Sequence, residues 1–506
     1  MPQPRLAGPG VYVTEHPGGG RAVTGVSTSV TAFIGRTARG PVGESVTVRS
    51  MAEFSQVFGG LWRESGLSYA IRDFYLNGGS TALVVRVPGG AGSARLDAGG
   101  LQLKAAGPGS WGNGLWVEVV HPGSGHAREL SSGGAHTEDA ELFHLRIGEG
   151  DGDSPREEFL NLTVADGPRR VDTVLQASRL VQVERLTSSL DLPAAGVHRV
   201  PQAGMASDGG VLTAGDYIGE GGLGALAAAD FNLLCLPPSS PEGELPKAVW
   251  VEALGVCYRR RAVLLVDPPQ TIVPRDAPAW LETIALSGPE TRNGVFYLPR
   301  LRSADPLRDH AIAEFVPSGA IAGVMARTDA TRGVWKAPAG MDAGIVGAAG
   351  LSHSLTDGDS DELNPLGINC LRSFPQAGTV VWGARTLRGA DTLVDEYKYL
   401  PVRRLALFLE ESLRRGTQWV VFEPNDERLW TQIRTSLGAF MQDLFRQGAF
   451  QGHAPRDAYF VACDAETTTQ YDIDRGIVNI SVGFAPLKPA EFVVIGIQQK
   501  TAEAAG

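Results

Sequence analysis

The sequence predicts an α/β fold, an α+β multidomain chain, on three observations. Its 506 residues amount to about three domains at roughly 150 residues each, and a hydrophobic content of 43% lets each bury a core. Sixty-four glycines and 32 prolines imply short strands joined by many tight turns, which argues against a helical bundle or coiled coil. Strand and helix patterns alternate through the middle of the chain, the order expected of a three-layer sheet with helices on both faces. A formal charge of −11 argues against a nucleic-acid partner.

Residues 1–30 open with a short β-prone run, Val11, Tyr12 and Val13, followed by Gly18, Gly19 and Gly20 and then by Val23 and Val26 among small residues. Too few large apolar side chains are present for a core, so the segment reads as an extended N-terminal arm hinged at its glycines. Residues 31–100 carry a β-α-β pattern: the strand TAFIGRT, a polar turn, a helix near Ser65 to Leu76, and the strand TALVVRV. GAGSARLDAGG then behaves as a linker. Residues 101–205 alternate in strand fashion (LWVEVV, LFHLRI) between Gly, Ser and Asp clusters, a β-rich insertion. Residues 206–360 alternate the strands FNLLCLP, AVLLVDPP and GVFYLP with helices near 246–261 and 278–286, an α/β middle domain.

The clearest elements lie in residues 361–489. From Val402 to Arg415, Leu405, Phe408, Leu409 and Leu413 form one apolar stripe, and Gly416 follows as a helix stop. After a strand WVVF and the turn EPND, a second helix spans Asp426 to Gln447, with Leu429, Trp430, Ile433, Leu437, Phe440, Met441, Leu444 and Phe445 at helical spacing. Its polar positions Glu427, Arg428, Arg434, Asp443 and Arg446 are the candidates to face a partner. The strands AYFVAC, IVNISVGF and EFVVIGIQ follow. In the last, residues 490–506 contain Phe492, Val493, Val494, Ile495 and Ile497, preceded by Pro486 and Pro489, which turn the chain away from its own sheet. This is a candidate C-terminal arm.

Enzymatic chemistry finds little support. The phosphate loop GxxxxGK[ST] is absent, and Gly219, Gly221 and Gly224 satisfy GxGxxG without a strand leading into it, so they read as a turn. Asp267, Ser352 and His353 lack a GxSxG elbow, and the histidines lack metal spacing. Asp359, Asp361 and Glu362 read as a solvated loop, and Cys235, Cys257, Cys370 and Cys463 as buried reduced thiols. No catalytic residue, cofactor or metal is expected, and no apolar run is long enough to span a membrane, which implies a soluble cytoplasmic product.

Several segments resemble the contractile tail sheath family of contractile phages, R-type pyocins and phage-like injection systems. They are GPGVYVTE (Gly8 to Glu15), PGSWGNGLWVEV, DYIGEGGLGALAAADFNLLCLP, NPLGIN, VWGARTL, VRRLALFLEESL, VFEPNDERLW and VGFAPLKPAEFVVIGIQQ, in the family's order. The resemblance implies an inner domain built from both chain ends, an α/β middle domain and an outer insertion. It also implies a structural polymer: subunits stack around an inner tube protein, between baseplate and terminal cap proteins, in an extended metastable state, then contract and drive the tube through a target envelope without nucleotide hydrolysis. In such a family the arms add strands to sheets of neighbouring subunits, and a long helix of the C-terminal domain faces the tube. The arm residues Val11, Tyr12, Val13, Val23, Val26 and Phe492 to Ile497 would make those strands, with Gly18, Gly19, Gly20, Pro486 and Pro489 as hinges. Assembly is expected in the bacterial cytoplasm, with release as part of an extracellular particle. An α/β hydrolase and a non-contractile filament protein are the rival readings. On the same view Arg403, Arg404, Arg414 and Arg415 lie on an exposed helix face and serve contacts between subunits.

Overall fold

A computed structural model describes residues 22–122, 142–152, 154–186, 191–284 and 286–491. They divide into a larger unit, residues 27–407 with 488–491, and a smaller one, residues 22–26 with 408–487.

The larger unit is built on one eight-stranded sheet. Its strands lie in the spatial order Gly378–Val381, Asn369–Phe374, Gly294–Leu298, Val263–Val266, Leu233–Cys235, Thr31–Gly35, Ala82–Arg86 and Ser45–Val48. The six inner strands run parallel and an antiparallel strand closes each edge. From Thr31–Gly35 the chain adds one neighbour on one side, then returns and builds outward on the other, the strand order of a doubly wound sheet. Both faces are buried, so the inner strands are mostly apolar, with Thr31, Arg86 and Asn369 as buried polar exceptions. Alternate residues divide between the two sides. Phe33, Val84, Leu233, Val263 and Val295 pack against the helices Gly66–Leu76 and Ser318–Arg332. Ile34, Val85, Leu234, Leu264 and Phe296 pack against the helix Lys247–Arg260 through Val249, Trp250, Ala253, Leu254 and Cys257.

The helix Ser318–Arg332 lies close against Gly66–Leu76 because Gly319 and Gly323 present no side chain there. A Cβ at either position would collide with the carbonyl oxygen of Ala70 or Phe74. Neither this helix nor Met51–Phe58 is anticipated by the sequence pattern. The first is apolar on every side over its opening half, as a helix between a sheet and a second helix must be, so it lacks a stripe. The second occupies the expected polar turn and is capped by Ser50, whose hydroxyl accepts from the Glu53 amide.

The expected boundaries shift in two places. Residues 31–100 and 206–360 share one sheet rather than forming separate domains, because Thr31–Gly35 pairs with Leu233–Cys235. The strands Asn369–Phe374 and Gly378–Val381 belong to that sheet too, so the smaller unit starts near Phe408 rather than at 361. The β-rich insertion consists of a four-stranded and a three-stranded antiparallel sheet over one core that includes Leu101, Leu103, Val117, Val119, Phe143 and Leu145, and the segment expected as a linker supplies one of its strands, Arg95–Asp97, because Leu96 is buried in that core. Among the described residues no helix is long and apolar enough to cross a membrane.

Candidate functional site

The smaller unit carries the helix Glu427–Arg446. Asp426 caps it, its carboxylate accepting from the amides of Arg428 and Leu429 at 3.0 Å each. Leu429, Trp430, Ile433 and Leu437 form a core with Cys463, Val461, Val482 and Ile473, which fixes the helix against the two-stranded antiparallel sheet Tyr459–Ala462 and Ser481–Phe484. Packing on one side leaves the other polar. Glu427, Arg428, Asp443 and Arg446 are exposed and Arg434 is half-buried. Arg434 pairs with Glu427 at 2.6 Å and also donates to the carbonyl of Cys463, while Arg446 lies 3.6 Å from Asp443.

That sheet has two strands, and among the described residues neither pairs on its outer side. Of the expected arm residues, Val11, Tyr12, Val13, Phe492, Val493, Val494, Ile495 and Ile497 lie outside the described residues, as do Gly18, Gly19 and Gly20. Val23 and Val26 are placed differently from expectation. Neither is in a strand. Val23 packs against Gly416 and joins the core around Leu429, and the Val26 amide donates to the Ser412 hydroxyl at 3.1 Å. An apolar side chain next to a glycine surface finds its partner inside its own subunit.

At the other end Pro486 forms an isolated bridge with Phe450, and Pro489 lies two residues before Glu491. Glu491 is fixed within the larger unit. Its carboxylate accepts from Nε and Nη2 of Arg385 at 2.8 and 2.6 Å and from the Tyr399 hydroxyl at 3.3 Å. Nη1 of Arg385 donates to the carbonyls of Asn364 and Gly389 and to Asp391. The expected C-terminal arm, 490–506, is thus anchored to its own subunit at its second residue, contrary to an arm that leaves its subunit from its first.

The helix expected over 402–415 spans Leu400–Gly416, and its arginines divide into two kinds. Arg403 and Arg404 are buried, contrary to the exposed face expected. Arg404 forms a two-pronged ion pair with the buried Asp329 at 2.8 and 2.6 Å, and Arg403 donates to Asn293 at 3.0 Å with its guanidinium over the Tyr397 ring. Arg414 and Arg415 are exposed and both pair with Glu411 at 2.6 Å; their hydrogen bonds hold its carboxyl down to about 2. The run WVVF is not a strand either. Gln418–Val420 makes a short 3₁₀ turn, and Val421 and Phe422 stand in solvent, Phe422 at a left-handed φ of 70°.

The enzymatic alternatives come apart in the fold. Ser352 Oγ lies 3.2 Å from His353 Nδ1, but Asp267 accepts from the amide and hydroxyl of Ser318 at 3.0 and 2.7 Å, so it is engaged elsewhere. Gly219 and Gly221 lie between the short helix Ala214–Ile218 and the 3₁₀ turn Leu223–Leu226, and Gly224 lies within that turn. The acidic run is a helix, Asp357–Leu363, where Asp359 completes a capping box with Thr356.

Comparison with known proteins defines the class. Residues 210–387 match the phage tail sheath protein central domain and residues 395–500 the phage tail sheath C-terminal domain, together more than half of the sequence. The chain belongs to the contractile tail sheath family. It is 27% identical over 188 residues to the tail sheath protein of Vibrio phage KVP40, a match covering 37% of this chain and 27% of that protein. The fold is similar to the PVC sheath of an extracellular contractile injection system in its contracted state (TM-score 0.58, 21% identity, 98% of both chains). It is likewise similar to the sheath tail protein of Listeria innocua (TM-score 0.62, 14% identity, 92% of this chain and 96% of that one).

Proposed function

We propose that this protein is the structural subunit of a contractile sheath and has no enzymatic activity. Copies polymerise around an inner tube protein, between baseplate and terminal cap proteins, in an extended metastable state, and contraction drives the tube through a target envelope without nucleotide hydrolysis. Assembly takes place in the bacterial cytoplasm, and the finished particle acts outside the cell. The observation that carries this reading, beside the family match, is the open two-stranded sheet of the smaller unit. Two strands alone are marginally stable, and each edge, unpaired among the described residues, offers a row of amide and carbonyl groups to which an extended segment of another copy can add. Residues 11–13 and 492–497 supply the β-prone sequence for such strands, and the Arg385 to Glu491 anchor supplies a fixed point from which the second would extend. The polar face with Glu427, Arg428, Arg434, Asp443 and Arg446 would meet the tube or a neighbour.

Deleting residues 1–21 or 492–506 tests this. Folding is expected to survive and polymerisation to fail, since each lost strand removes several backbone hydrogen bonds of about 0.5 to 1.5 kcal/mol, repeated at every lattice position. Thermal unfolding and particle imaging of the same truncated protein decide it. Long sheaths that still form, or a monomer that melts far below the full chain, would assign the end segments to their own subunit.

A further inference from the structure

Arg300 is 2% exposed, and none of its three guanidinium nitrogens has a hydrogen-bond partner among the described residues. It lines a half-open cavity of about 300 Å³ beyond the C-terminal ends of the parallel strands Leu233–Cys235, Val263–Val266 and Gly294–Leu298. That end of an open parallel sheet is where such folds hold ligands, because the loops diverge there and the following helices point their N-termini inward. The 14-residue helix Lys247–Arg260 begins on the cavity wall, no side chain caps its N-terminus, and the exposed Lys247 stands at its first position. Trp250 and Trp280 contribute apolar wall.

A buried guanidinium left unpaired is costly, whereas one that meets a carboxylate or phosphate in a two-pronged geometry is favourable. A helix N-terminus adds further preference for negative charge. The wall also holds carboxylates, which limit what can enter. Asp267 keeps both oxygens on Ser318, and the exposed Glu244 takes the hydroxyl of Thr271 at 3.3 Å. Neither satisfies Arg300. We propose that this cavity is a binding site for a small oxyanion, a carboxylate or a phosphate, held by the fork of Arg300 against the N-terminus of the helix Lys247–Arg260. The site lies wholly within the larger unit, so binding requires no polymerisation and stands apart from the sheath reading.

The experiment is thermal unfolding of the full chain in inorganic phosphate and, separately, in acetate, each against chloride at equal ionic strength. Either anion is expected to raise the melting temperature by about 1 to 3 °C at 10-fold above its dissociation constant. Arg300→Met should abolish the rise and, lacking the unpaired charge, melt no lower than wild type in chloride. A response to phosphate alone assigns phosphate-bearing ligands, and one to acetate alone assigns carboxylates. Should Arg300→Met fail to fold, the phosphorus-31 linewidth of phosphate titrated onto wild type and onto Lys247→Met reads the same site, and the variant is expected to bind at least threefold more weakly. No response to either anion, a response that Arg300→Met retains, or, where the wild type responds to phosphate, a phosphorus-31 signal that Lys247→Met leaves unchanged would overturn the proposal.

Discussion

Arg385 and Arg300 are both shut away from water in the larger unit, yet Arg385 donates five hydrogen bonds and Arg300 donates none among the described residues. Burial works against both charges. At Arg385 the hydrogen bonds and charge of Glu491 outweigh it and hold the pKa above the ordinary value. At Arg300 burial prevails and the pKa falls, with Asp267 opposing it at a distance. Absence of a carboxylate is not the whole difference, because the buried Arg86 donates to the carbonyls of Thr37, Gly40 and Pro108 and, among the described residues, hydrogen-bonds to no carboxylate. A guanidinium folded into its own chain's acceptors serves structure. One that lines a cavity and hydrogen-bonds to none of the acceptors on its wall has a place for something from outside.

The largest expected effect breaks the satisfied side. Arg385→Met leaves Glu491 without its pair and frees the segment before the C-terminal end, and stability should fall by about 3 to 5 kcal/mol. Chemical denaturation of the full chain measures this, and a loss below about 1 kcal/mol would remove Arg385 from the anchoring role. Arg404→Met belongs to the same class, since it strands the buried Asp329.

Asp267 sharpens the other side. Burial raises its carboxyl to about 7, against the hydrogen bonds of Ser318 and the charge of Arg300. The folded state therefore holds this proton where the unfolded chain, with a pKa of about 3.9, has released it. Its contribution is fully present below pH ~4 and is lost as the pH rises through about 7. Asp267→Asn keeps an acceptor for the Ser318 amide and should flatten the stability profile across that window by about 2 kcal/mol relative to wild type. Denaturation midpoints at pH 5, 6, 7 and 8 check it; parallel profiles for the two proteins would contradict it.

Outside the core the effects shrink. Phe422→Gly relieves a left-handed backbone that phenylalanine adopts at a cost of about 1 kcal/mol, and removes a ring that contacts solvent. Monomer stability should rise slightly while sheath assembly weakens, measured by melting temperature and sedimentation of the same variant. Smallest of all is the pair Arg414→Gln with Arg415→Gln, two exposed partners of Glu411, expected to change stability by about 0 to 1 kcal/mol in total. Salt titration of that variant and wild type should converge at high ionic strength.

The elements most legible in the sequence were those in which charged and apolar residues alternate at helical spacing. The helices expected at 402–415 and 426–447 appear at Leu400–Gly416 and Glu427–Arg446 on that pattern, although residues 400–407 of the first are buried on every side. Ser318–Arg332 was hidden because its first half, also buried all round, carries no charged residue to mark a stripe. Arg403 and Arg404 were misread for a related reason. A basic residue looks solvated until the fold brings up Asn293 and Asp329, more than seventy residues away in sequence. For Val23 the distance is longer still, and nothing near it in the chain marks Gly416 as its partner. Nor does any motif mark Arg300, whose significance depends on what fails to surround it.

The chain by itself determined its α/β class, the alternation of inner strands with helices, the two amphipathic helices and the family to which it belongs. These depend on periodicities of two and 3.6 residues and on local motifs, which are written along the sequence. Tertiary structure alone decided that residues 31–86 and 233–381 share one sheet, that four charged side chains at Arg385, Arg403, Arg404 and Arg300 are buried, and that one of these faces a cavity. Pairing and burial depend on which distant segments meet, and a charge becomes structural or available according to the acceptors that meeting provides.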